Sequence, residues 1–282
     1  MRIRFRFAKL GKIRFTSQRD VARMWERALR RASLPLAYTE GFSPRPQLSF
    51  GLALPTGAES LAEYLDVVLD DTRPETAGVA LDALPARMTG LLPEGIDVEA
   101  AALVDRRDGS LQQQVTSCSW TMWLGGMTEE ALSERVAALL AADSVPITRE
   151  RKGRQEQDDL RPSVLALAVG RGPSGLPSDV GPSGETAIAA PVAVVAELAC
   201  QPRGVRPIEL VRGLIAVSGR PADDGVEDAP AGGGSGAGVP VLGRACRTQQ
   251  WIERDGRREE PLVHGGVTAP ADSAAHALER AS

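Results

Sequence analysis

The 282-residue chain carries 33 basic and 37 acidic side chains, a formal charge of −4, and is 43% apolar, enough for one large core or two of ordinary size. Its two histidines, His264 and His276, lie in a polar Ala- and Gly-rich stretch, and its three cysteines, Cys118, Cys200 and Cys246, are widely spaced, a pattern that argues against imidazole catalysis, zinc sites and thiolate-held clusters. No run approaches the ~18 apolar residues of a spanning helix, and alternating arginines open the chain where a signal peptide would be apolar, so the expectation is a cytoplasmic protein without membrane contact.

The first fifty residues hold twelve Lys and Arg against three Asp and Glu, an imbalance that points to a polyanionic partner. Residues 2–8 alternate Arg2, Arg4, Arg6 with Ile3, Phe5, Phe7, the period of a half-buried strand. Gly11 then predicts a turn into Ile13-Arg14-Phe15 and a basic hairpin. Thr16 or Ser17 caps a helix whose apolar stripe is Val21, Met24, Trp25, Ala28, Leu29 and Ala32, with Arg19, Arg23, Arg27, Arg30 and Arg31 mostly off it. Strands near 35–39, 47–54 and 63–69 follow, then a helix from Pro74 towards Met88 disturbed at Pro85, and a strand at 96–104.

The same order recurs. A strand at 114–124, a helix capped by Thr128, strands at 145–151 and 162–169, the apolar run 191–199, a helix at 207–217 and a strand at 244–254 give a second copy in element order only. The fold class is therefore α+β: two ferredoxin-like βαββαβ halves with extra strands, a flexible linker and a C-terminal tail. The halves are placed at 1–108 and 109–255, with insertions at 170–186 and 219–242, and residues 256–282 are read as a disordered tail.

Three groups of residues are candidates for function. Arg2, Arg4 and Arg6 beside the helix arginines have the chemistry to track a phosphate backbone through bidentate guanidinium contacts. Arg149, Arg151, Lys152 and Arg154 surround Gly153 at a hairpin tip, with Arg161 following. The loop Gly41-Phe42-Ser43-Pro44-Arg45-Pro46 is stiffened by its two prolines, and stiff loops between strands often carry function. Each has a plain alternative: a solvated sheet face, a charged tip, a loop that sets a strand crossing. Asp20 and Glu40 are the acids near that loop in sequence, and their spacing is not diagnostic of a carboxylate pair.

The strings MRIRFRFAKLGKIRFTSQRD and ERALRRASLPLAYTEGFSPRPQLSFGLALPTGAES, with RKGR, DLRP and RTQQW further on, resemble the radical-SAM-linked protein family, a domain of unknown function found alone or fused behind radical SAM domains. The likeness covers about residues 1–255 and is densest over the first seventy. Where that family has Ser-His-x-Asp this chain has Ser17-Gln18-Arg19-Asp20, and Ser43 and Arg45 stand where the family's proline loop has Asn and His, so roles resting on those histidines do not carry over. A weaker likeness is to tRNA pseudouridine synthases, which open on a similar strand, pair two ferredoxin-like halves and carry a segment like Leu91-Leu92-Pro93-Glu94-Gly95-Ile96. Those enzymes need an Asp in a strand-bounded loop, and residues 41–46 contain none.

The N-terminal basic field, the lack of a self-sufficient catalytic set and the radical SAM association that the resemblance implies together give the expectation of a non-catalytic RNA-binding module that works with a radical SAM protein in tRNA or rRNA modification. Its expected RNA contacts are Arg2, Arg4, Arg6, Arg23, Arg45, Lys152, Arg154 and Arg161, and its motif positions are Ser17, Asp20, Gly41, Phe42, Pro44 and Pro46. No catalytic residue, metal ligand or cofactor is assigned. The alternatives are an RNA-modifying enzyme of pseudouridine-synthase-like fold using Asp20 or Glu40, or a scaffold whose basic face meets an acidic protein.

Overall fold

The computed structural model describes residues 1–151, 153–171, 192–218 and 239–262. Lys152, most of the 170–186 insertion, most of the 219–242 linker and the tail beyond residue 262 lie outside the described residues. The protein is α+β, and its described residues form two units, 1–116 with 249–262 and 117–248.

The first unit runs β1 (Arg2–Lys9), α1 (Gln18–Arg31), β2 (Leu48–Phe50), β3 (Glu59–Val68), α2 (Leu84–Thr89) and β4 (Ile96–Leu103). β1 pairs antiparallel with both β3 and β4, and β2 pairs antiparallel with β3, giving the order β4-β1-β3-β2 of a ferredoxin-like sheet. Alternation puts Ile3, Phe5 and Phe7 inward at 1% exposure or less. α1 lies on them through Val21, Trp25, Ala28, Leu29 and Ala32, and the Trp25 ring sits 5.4 Å from Phe5 and 5.0 Å from Phe7. Ser17 caps α1, its Oγ accepting the Asp20 N–H at 3.2 Å.

Three local expectations change. Residues Gly11–Phe15 form a 3-10 turn instead of a second hairpin strand. Lys9 is already paired with Ser60 of β3 and Ile96 of β4, so β1 offers no free edge for a hairpin, and the Gly11 N–H goes to Glu59 Oε1 at 2.7 Å. The strand near 35–39 is reduced to the bridges Leu36 to Leu69 and Tyr38 to Pro46. The long helix from Pro74 becomes a 3-10 turn at Pro74–Gly78 and the short α2; Pro85 stands in the first turn of α2, where the missing N–H has no helical partner to lose, so it starts a helix rather than disturbing one.

The unit's boundary also moves. The one-turn helix α3 (Leu111–Gln114) buries Leu111 with Ala62, Tyr64 and Leu262, which holds residues 109–116 in the first unit. Gln250 donates to the Ala62 carbonyl at 2.6 Å and Tyr64 donates to Gln249 at 3.0 Å, so residues 249–254 belong there too. Residues 256–262, assigned to the tail from their composition, are instead structured: β11 (Arg257–Glu259) pairs with residues 252–254, and Leu262 is 2% exposed.

The second unit runs β5 (Val115–Gly125, its first two residues in the first unit), α4 (Glu129–Ala141), the hairpin β6 (Pro146–Arg151) and β7 (Arg154–Asp159), β8 (Val164–Val169), β9 (Val192–Ala199), α5 (Pro207–Ala216) and the leading part of β10 (Val241–Arg254). Its sheet order is β10-β5-β9-β8, the same βαββαβ arrangement, with β6 and β7 as a separate two-stranded insertion. Leu132 and Leu139 of α4 and Leu210 and Leu214 of α5 are fully buried. Gly213 allows the close packing of α5, because a Cβ there would stand 2.3 Å from Leu160 Cδ2. Among the described residues no helix is long and apolar enough to cross a membrane.

Candidate nucleic-acid interface

The β1 arginines, expected as phosphate contacts, are committed within the protein. Arg4 is 2% exposed; its Nε and second terminal nitrogen donate to the two oxygens of Asp66 at 2.7 and 3.0 Å, and its remaining nitrogen donates to the Pro261 carbonyl at 2.7 Å. Arg2 shares the same carboxylate through Nε at 3.0 Å and donates to the Asp108 carbonyl at 2.9 Å. Arg6 pairs with Glu99 at 3.0 Å and Glu260 at 2.9 Å and keeps 15% of its side chain exposed. These three residues tie β1 to β3, β4 and the 257–262 segment. They do not offer a solvated basic face.

The outward face of α1 does. Arg19, Arg23, Arg27 and Arg31 recur every four residues, with Arg30 beside them, and all five are exposed. Each step advances about 6 Å along the axis, so the row winds gently over the side opposite the apolar stripe. Asp20 takes Arg23 at 3.2 Å and Glu26 takes Arg30 at 3.3 Å, while Arg27 and Arg31 have no ion pair among the described residues. Exposed pairs of this kind are weak and readily exchanged for another anion.

Ser17 and Asp20 serve the start of that helix. Ser17 Oγ donates to Asp20 Oδ2 at 2.7 Å, and this hydroxyl, ahead of the nearby arginines, holds the Asp20 carboxyl below the usual carboxylate range. A carboxylate so engaged is a poor proton donor near neutral pH.

The proline loop forms a finger with a hydrogen-bonded stem. Gln47 N–H donates to the Ala37 carbonyl, and Thr39 N–H to the Arg45 carbonyl, each at 2.9 Å; Arg45 N–H donates to Thr39 Oγ1 at 3.1 Å and Gln47 Nε2 to the Tyr38 carbonyl at 3.0 Å. Ala37 N–H to the Val68 carbonyl and Val68 N–H to the Gln47 carbonyl root the stem on β3. Pro46 is buried in that stem, and Gly41 turns the tip at a φ of 123°. Residues 39–45 are exposed, Pro44 and the Arg45 side chain among them, and Phe42 is fully solvated at 109% relative exposure.

The second unit's basic residues divide. Arg149 is paired with Glu156 at 3.0 Å and Asp158 at 3.3 Å, and the half-buried Arg161 donates to the carbonyls of Val164 and Leu140. Arg154 remains exposed at the hairpin turn.

Two features escaped the sequence. In the first unit an open cleft of about 840 Å³ is lined by residues including Arg2, Asp66, Asp70 and Arg106, in which Arg2 pairs with Asp66 and Arg106 pairs with Asp71 at 3.0 Å. In the second unit Cys118 on β5 and Cys200 just past β9 bring their sulfurs to 3.3 Å. The hydrogen bond with Cys118, and then burial, push the Cys200 thiol up, which slows thiolate chemistry at neutral pH. Diamide, which takes up two electrons and two protons, is expected to link the pair, faster as pH rises, with intact-mass analysis showing the loss of two hydrogens. Full maleimide labelling of all three cysteines after unfolding would show that no link forms.

Fold and surface together define an α+β protein of two ferredoxin-like units whose first unit carries an arginine-faced helix. The chain belongs to the family described as uncharacterized protein conserved in bacteria (DUF2344), whose profile matches residues 2–197, from β1 into β9. No curated protein sequence matches the chain.

Proposed function

We propose that this protein is an RNA-binding accessory module, without a catalytic role of its own, that holds tRNA or rRNA for modification by a radical SAM partner. The observation that carries the RNA reading is the exposed row of Arg19, Arg23, Arg27, Arg30 and Arg31 on α1, opposed by only two acids on the same helix. Guanidinium groups in such a row meet successive phosphates bidentately, and their yield in affinity comes largely from counterion release. The radical SAM partner rests on the resemblance of the N-terminal strings to the radical-SAM-linked family; the weaker likeness to tRNA pseudouridine synthases favours a structured RNA as the ligand.

The test is the dependence of RNA affinity on salt. For unlabelled full-length protein and a tRNA transcript, log affinity is expected to fall linearly with log salt at roughly 0.7 to 0.9 per phosphate contact. An affinity that does not change between low and moderate salt would overturn the RNA reading. Crosslinking in cells followed by mass spectrometry tests the partner, which should be recovered with the protein and the bound RNA.

A further inference from the structure

We infer that the 37–47 finger is a base-stacking device: Phe42 at its tip receives an unpaired RNA base while Arg45 holds the adjoining phosphate. The inference rests on the RNA-binding reading and sharpens it, since it names an RNA with an unpaired, extruded base as the ligand.

Leaving a phenylalanine ring wholly in water is unfavourable for the isolated protein, and Phe42 stands fully solvated at the tip of a hydrogen-bonded stem. The stem is closed by the Thr39, Arg45 and Gln47 hydrogen bonds and rooted on β3, while Pro44 and Pro46 limit the backbone on the other side. The stem fixes where the tip stands, so the backbone there loses little freedom when something stacks on the exposed ring, which favours a preorganised contact. The finger's side chains suit a nucleotide: an aromatic face at Phe42, a second exposed aromatic at the stem in Tyr38, and an exposed guanidinium at Arg45. Flat π-faces and cations interleaved are the chemistry of single-strand recognition.

Position along the chain supports the same choice. Phe15, Tyr38 and Phe42 are the exposed large aromatics among the described residues, and all three fall in the stretch that carries the arginine helix. Phe15 already lies under a guanidinium, with the Arg14 carbon 4.6 Å from its centroid. A docking anchor for a protein would be expected within a wider apolar patch, whereas Phe42 is flanked by Gly41, Ser43 and Pro44 and has Glu40 and Arg45 close by in the loop.

The experiment compares two RNA probes of equal charge, a stem-loop with an unpaired loop and a fully paired duplex, at one salt concentration on the full chain. Phe42→Ala is expected to weaken the stem-loop about 5- to 150-fold and to leave the duplex within about twofold, and Phe42→Trp is expected to retain stem-loop binding. Equal losses on both probes, or no loss on either while the native chain binds both, would overturn the stacking role and leave the RNA reading standing. A native chain that binds neither probe would overturn the RNA reading and the stacking role with it. Retention of both probes by Phe42→Ala, with loss of a crosslinked protein partner, would reassign the finger to protein docking and likewise overturn the inference.

Discussion

Asp66→Asn is expected to destabilise the first unit by about 3–5 kcal/mol. The Asp66 carboxylate is 2% exposed and receives four donors from Arg2 and Arg4, and Arg4 is itself 2% exposed. An amide presents one acceptor oxygen and removes the charge, leaving the Arg4 guanidinium desolvated with the Pro261 carbonyl and a share of that one oxygen. Arg2 is less affected, because the Asp105, Asp108 and Gly109 carbonyls also receive it. Amide hydrogen exchange of β1 and β3 in the intact chain is the measurement, and protection there should fall by roughly two to four decades. The double change Arg4→Met with Asp66→Leu is expected to restore part of the protection, since it removes the buried Arg4 charge and leaves Arg2 with its three carbonyl acceptors. Unchanged protection in Asp66→Asn would show that the network contributes little.

Reversing Arg19, Arg27 and Arg31 together to Glu is expected to weaken tRNA binding roughly a hundredfold or more, taking ~0.5–1 kcal/mol for each arginine–phosphate pair removed and as much for each repulsion introduced. The slope of log affinity against log salt should flatten by about 2 to 3, one step for each phosphate no longer met. All three side chains point to solvent and away from the Trp25 stripe, so the far-ultraviolet circular dichroism should not change apart from slight fraying near Arg31, where an acid opposes the helix dipole. A flattened slope with intact helix content supports the α1 face as the phosphate contact. An unaltered slope places that contact elsewhere or removes it.

What could be read in advance followed from local period. The alternation of Ile3, Phe5 and Phe7 and the stripe from Val21 to Ala32 each declare which face is buried, and the folded protein buries those faces. The main strands and helices of each half were legible for the same reason, whereas β7 and the one-turn α3 were not. The destination of the β1 arginines was not, because a strand's outward face is solvent only if nothing distant covers it. Arg4 finds Asp66 at a separation of 62 residues and Pro261 at 257, distances over which composition carries no signal. The hairpin expected at Gly11 failed on the same ground: β1 already had neighbours, supplied from residues 60 and 96. Residues 257–262 looked like tail because the six residues Arg257-Arg258-Glu259-Glu260-Pro261-Leu262 contain no period to detect, although Leu262 fills a site beside Tyr64 and Leu111. Cys118 and Cys200 meet because β5 and β9 are neighbours, and no spacing between two cysteines reports that.

The division of the chain has a consequence for its synthesis. Residues 117–248 are continuous and interrupt a first unit that is completed only by residues 249–262. As the chain is made from its N-terminus, the inner unit has every strand it needs before the outer one does. Until Pro261 and Leu262 leave the ribosome, Arg4 lacks its third partner and Leu111 part of its cover. While the inner unit is being made, the nascent chain therefore carries Arg4 and Arg6 without their Pro261 and Glu260 partners, an interval in which a chaperone or the proposed RNA itself has access to them.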